Sequence, residues 1–168
     1  KADSLMPGPP PQAGDHPLLG KKAPRFNLKT VDGKTFNLES AGKDKVVVLD
    51  FWATWCGPCR RALPILAEVT GEFDDVVFCA VNQGEGKDTI ERFLKEQDLT
   101  SITVAMVQDN QLGQEYHVRG IPQTVLVGKD GKVHKVHVGL LPNLREALRD
   151  ELTALVAGKS LLEDEAEK

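Results

Sequence analysis

Apolar and polar positions along this chain fall into two rhythms that alternate from end to end. Val46-Val47-Val48-Leu49-Asp50-Phe51 is a near-continuous apolar run rich in β-branched residues, the pattern of a strand covered on both faces. Leu63, Leu66, Val69 and Phe73 then recur at spacings of three and four, the stripe of an amphipathic helix. Val76-Val77-Phe78-Cys79-Ala80-Val81 repeats the strand pattern, and Ile90, Phe93 and Leu94 share one face of a helix capped by Asp88 and ending near Gln97. Ser101 to Met106 reads as a strand, Asp109 to His117 as a short helix, and Thr124-Val125-Leu126-Val127 as another buried strand. The turn Lys129-Asp130-Gly131-Lys132 leads into a strand from Val133 to Val138. Leu144, Leu148, Leu152 and Leu155 mark a closing helix between Pro142 and Ala157. Ahead of all these, Arg25 to Thr30 and Lys34 to Leu38 alternate polar with apolar across Val31-Asp32-Gly33, which predicts a hairpin. Strands and helices in this order predict an α/β fold with a mixed central sheet flanked by helices.

Composition narrows the picture. At 168 residues one domain is expected, over residues 19–158. Residues 1–18 hold Pro7, Pro9, Pro10, Pro11 and Pro17 among few apolar side chains and read as an extended, flexible tether. Residues 159–168 read as an acidic, frayed tail. The net charge of −4 provides no basic field, which argues against a nucleic-acid partner. No apolar run reaches membrane-spanning length, and the chain opens on Lys1, so a signal or membrane tether ahead of it is left as an expectation.

The chemistry lies where the first buried strand turns into a helix, at Trp55-Cys56-Gly57-Pro58-Cys59. The first turn of a helix presents unpaired N–H groups and the positive end of the macrodipole, so a sulfur there is stabilised as an anion. Pro58 fits that turn because its missing N–H would have had no partner. Two cysteines three apart at such a junction read as a redox pair: Cys56 attacks a disulfide and Cys59 releases the product. Zinc would need four ligands, and there is no second CxxC. Cys79 lies inside an apolar run and is expected to be a small core residue. A purely structural bridge is the plain alternative.

The run Trp52-Ala53-Thr54-Trp55-Cys56-Gly57-Pro58-Cys59, with Gly120-Ile121-Pro122-Gln123-Thr124 further on, resembles the thioredoxin superfamily. More narrowly it resembles the TlpA/ResA-like thiol–disulfide oxidoreductases of the AhpC/TSA-related branch. The resemblance implies a thioredoxin fold with an N-terminal β-hairpin and a central αβ insertion that thioredoxin itself lacks. It implies a cis Ile121–Pro122 bond facing the cysteines, with the Ile121 backbone offered for strand-like pairing to a substrate segment. Trp55, Gly57 and Pro58 would complete that docking surface. Asp50 matches an aspartate that moves the proton of the second cysteine. The implied cofactor is none beyond the Cys56–Cys59 disulfide itself. The implied partners are cysteine-containing protein substrates and an upstream thiol reductant, in a monomer outside the cytoplasm. One departure stands out: Ala62 occupies the place, three past the second cysteine, where TlpA/ResA-like proteins often carry glutamate, and the acid–base group stands instead at Asp50.

Two other functions compete. A peroxiredoxin-like peroxidase would need a Pro-x-x-x-Thr-x-x-Cys pocket, which does not occur. A non-catalytic binding module would use the disulfide only to stiffen a surface. Among the remaining residues, Trp52 is expected to pack beneath the pair, Arg60 and Arg61 to line a solvated helix face, and Pro64 to kink the helix. His134 and His137, three apart on a strand, are expected on opposite faces, which is wrong for a shared metal.

Overall fold

The computed structural model describes residues 16–162. The expected tether as far as Asp15 and the acidic end from Glu163 lie outside the described residues.

The first buried run forms strand β3 (Val46–Trp52), buried at every position. It is the middle strand of a five-stranded sheet ordered β5-β4-β3-β6-β7, where β4 is Val76–Gln83, β5 Thr103–Val107, β6 Gln123–Val127 and β7 Val133–Val138. β3, β4 and β5 run parallel, whereas β6 and β7 pair antiparallel, so the sheet is mixed as the sequence predicts. A separate two-stranded hairpin, β1 (Asn27–Lys29) with β2 (Thr35–Asn37), precedes them. Gly33, at φ +84°, makes its turn without the Cβ clash other residues would meet.

Strand alternation divides the core. Val46 and Val48 face helices α2 (Gly57–Thr70) and α5 (Leu144–Val156), meeting Ala62, Leu66 and Val69 of the first and the four expected leucines of the second. Val47, Leu49 and Phe51 face the hairpin, the short helix α1 (Leu38–Ala41) and α4 (Gln111–Glu115), beside Phe36, Leu38 and Leu112. The expected insertion is present as helix α3 (Lys87–Glu96) followed by β5, which extends the sheet beyond β4. Ile90, Phe93 and Leu94 of α3 pack with Trp52 and Leu63. Cys79 is wholly buried in the core, and burial pushes its thiol up to about 12.

Two local expectations are corrected. Helix α3 begins at Lys87 with Gly86 as its N-cap, so Asp88 lies within the first turn and caps nothing; its charge there still favours the helix dipole. His134 and His137 do not lie on opposite sides. The register steps from Leu126↔Lys135 to Val127↔Val133, leaving His134 as the extra residue of a β-bulge that breaks the alternation. His137 Nε2 bonds Glu151 on α5 at 2.8 Å, and His134 Nδ1 accepts the N–H of Leu161 just beyond α5 at 3.2 Å. Among the described residues no cluster suited to a metal ion includes either ring.

Candidate active site

The junction between β3 and α2 is built by cap chemistry. Cys56 is the N-cap of α2, with extended backbone (φ −88°, ψ 111°), and its Sγ accepts the N–H of Cys59 at 3.2 Å. The sulfur therefore fills the place of the side-chain oxygen that usually satisfies a helix's first free donors. Pro58 lies in the first turn, where its lack of an N–H leaves nothing unpaired. Cys56 and Cys59 form a disulfide. Cys56 retains 5% exposure and Cys59 none, so only one of the two sulfurs can be reached from outside. One continuous helix carries both cysteines and continues through Pro64.

Facing the pair is the loop before β6. The Ile121–Pro122 bond is cis, and the Ile121 carbonyl oxygen lies 3.8 Å from Cys56 Sγ. Among the described residues, no backbone group pairs with the Ile121 N–H or C=O. Pro122 is fixed from the other side, its carbonyl accepting the Gly139 N–H at 2.8 Å. Trp55, at 74% exposure, stands beside this surface as an uncovered indole, and a side chain at Gly57 would meet no atom within 4 Å. Cys56, Ile121 and Pro122 are thus brought together, with Trp55, Gly57 and Pro58 on the flanking loop and first helical turn.

Asp50 lies below. Alternation along β3 puts its side chain on the α2 side, between Val48, which packs on that helix, and Trp52, which packs with both cysteines. The carboxyl is completely buried. Its Oδ1 accepts the Thr124 hydroxyl at 3.0 Å, and its Oδ2 has no hydrogen-bond partner among the described residues. Loss of solvation pushes the group up to about 8, against the smaller downward pull of Thr124. Trp52 is buried as expected and tilts against Phe93 at 5.2 Å between centroids. Arg60 is exposed but not merely solvated: its guanidinium stands 5.6 Å from the centre of the Phe93 ring.

Sequence reasoning missed a group of polar residues around the site. Thr124 holds Asp50, and Glu85, which follows β4, holds Thr54 just ahead of the cysteines. No spacing rule links Thr54 to Glu85 across 31 residues. The available signal was the position of Glu85 at the carboxyl end of a strand parallel to β3, the edge where open α/β sheets carry their sites.

A five-stranded mixed sheet, a CxxC disulfide at a helix N-terminus and a cis-proline opposite it define a thioredoxin-fold thiol–disulfide oxidoreductase. The chain matches the model of the AhpC/TSA family over residues 19–136, and it belongs to that family. It is 36% identical to the thiol-disulfide oxidoreductase ResA of Bacillus subtilis over 124 residues, covering 73% of this chain and 68% of ResA. The thioredoxin-like protein YneN of the same organism is 32% identical over 124 residues, covering 73% of this chain and 72% of YneN. Among solved structures, a DsbE-type thiol:disulfide interchange protein from Chlorobium tepidum superposes with a TM-score of 0.75 at 34% identity. That match covers 82% of this chain and 97% of the other.

Proposed function

We propose that this protein reduces disulfides in other proteins, with Cys56 as the attacking sulfur and Cys59 as the resolving one. The observation that carries this reading is the position of Cys56 as the N-cap of α2, its sulfur accepting a helix N–H and facing the cis-proline loop. In the reduced protein the same N–H and the helix dipole favour a thiolate at Cys56. That thiolate attacks one sulfur of a partner disulfide, the partner's other sulfur leaves as thiolate, and a mixed disulfide forms. Cys59 then loses its proton and displaces the partner as Cys56–Cys59 closes. Asp50 accepts that proton: burial raises its ionisation to about 8, which makes its carboxylate a much stronger base than an exposed one.

The substrate segment would pair with the open Ile121 backbone and rest on Trp55 beside Gly57 and Pro58. Replacing Trp55 with alanine is expected to lower kcat/KM for a protein disulfide about tenfold. The effect should be far smaller with a small aromatic disulfide, which has no chain to lay on the indole. Equal losses on both substrates would remove Trp55 from the docking surface.

The reducing direction follows from the Gly57-Pro58 pair, which resembles that of reducing thioredoxins. An upstream thiol reductant would restore the dithiol, and an extracytoplasmic setting belongs to the same proposal. Among the described residues no helix is long and apolar enough to cross a membrane. The direct test is insulin reduction by the dithiol form, with two electrons delivered per chain and Cys56–Cys59 recovered as the product. Peroxide consumption without insulin reduction would turn the reading to a peroxidase. A Cys56–Cys59 bond that mild thiols cannot open would turn it to a binding module.

A further inference from the structure

The loop that presents Cys56 is held from the neighbouring strand by a single carboxylate. Glu85 Oε1 accepts the Thr54 N–H at 2.7 Å and an Asn82 Nδ2–H at 2.8 Å, while Oε2 accepts the Thr54 hydroxyl at 2.5 Å. Glu85 is itself braced. Its N–H donates to Asn82 Oδ1 at 3.2 Å, and Gln108 Nε2 donates to its carbonyl at 3.4 Å. Asn82 is wholly buried and stands beside Trp52 in the β3–β4 register, so the brace is rooted in the sheet. All three donors to the carboxylate are neutral, and among the described residues no cation forms an ion pair with it. The Glu85 carboxylate is therefore fixed against Thr54, two residues ahead of Cys56, with no cation paired to it among the described residues.

We propose that Glu85 is a positioning residue of the redox site: it clamps Thr54 to hold the Cys56 loop, and its charge opposes formation of the Cys56 thiolate. This rests on the reading of Cys56 as the attacking sulfur and adds a direction to it. The helix N-terminus favours the anion and Glu85 works against it, so the dithiol is less stabilised than the helix alone would make it. A less stabilised dithiol is a stronger electron donor, because oxidants of this fold owe their potential to a stabilised reduced form. Glu85 thereby biases the pair toward reducing its partners.

Glu85→Gln separates charge from clamp. The amide Oε1 can keep both the Thr54 N–H and the Asn82 donor, and the amide Nε2–H can donate to Thr54 Oγ1, whose hydroxyl turns to accept. The measurement is the ultraviolet titration of Cys56 thiolate in a Cys59→Ser background, where Cys79 ionises only far up the scale. Glu85→Gln is expected to raise the thiolate fraction below the midpoint about threefold. With both cysteines present, it should shift the exchange of one protein disulfide and two glutathione for the dithiol and oxidised glutathione toward the dithiol. Glu85→Ala should do the same and also lower the melting temperature, which Glu85→Gln should leave near the wild-type value. A Glu85→Gln protein whose Cys56 titrates unchanged, or with less thiolate, overturns the proposal, whatever its stability. The titration uses no substrate. A wild-type protein that reduces no protein disulfide would sink the functional reading while leaving the charge effect measurable.

Discussion

Replacing Cys59 with serine is expected to give a protein that captures disulfide substrates and does not release them. Cys56 would still attack, because its activation comes from the α2 N-terminus and from the Cys59 backbone N–H, which serine retains. The mixed disulfide would then persist for want of a second sulfur. Multiple-turnover reduction of insulin should fall by about a thousandfold or more, with one covalent adduct per chain visible by mass spectrometry without reductant. Cys56→Ser should lose the same turnover and form no adduct, because Cys59 has no exposed surface from which to attack. The asymmetry is the informative part. Adducts on the Cys56→Ser protein, or their absence from the Cys59→Ser protein, would exchange the two roles and overturn the proposed mechanism.

This asymmetry was readable in the sequence because it is local. A β-branched run, a CxxC and a helical stripe follow one another within a few residues, and the period changes from strand to helix at the cysteines themselves. The same locality made the hairpin at Asp32-Gly33, the insertion helix with its Ile90 face and the closing leucine stripe legible. The cis state of Ile121–Pro122 was not local information; resemblance supplied it, since an isolated X–Pro sequence favours trans. Residues whose importance comes from pairing across the sheet stayed hidden. Thr124 meets Asp50, and Glu85 meets Thr54, only after β6 and β4 take their places on either side of β3. The His134 bulge shows a further limit, because one inserted residue reverses the facing of everything before it and leaves no mark in composition.

Asp50→Asn is expected to remove a large dependence of stability on pH. In the folded protein the Asp50 carboxyl ionises at about 8 because burial strips its water, against 3.8 for an unburied carboxyl. Between those values the unfolded chain has released a proton that the folded protein still holds. The unfolded state binds fewer protons, so the stability gained from a protonated Asp50 is lost as pH rises toward 8. From pH 5 to pH 8 this one group should cost the wild type about 4 kcal/mol. The asparagine variant lacks the titration and should gain on the wild type by about that amount across the interval. Urea unfolding of the two oxidised proteins at both pH values measures the difference, and other titrating groups cancel between them. The same substitution separates packing from proton transfer. Asparagine can still accept the Thr124 hydroxyl but cannot take the Cys59 proton, so resolution of the mixed disulfide should slow while its formation at Cys56 does not. Parallel stability profiles for the two proteins would mean that Asp50 is ionised in the folded state. With it would go the raised basicity on which its part in the exchange depends.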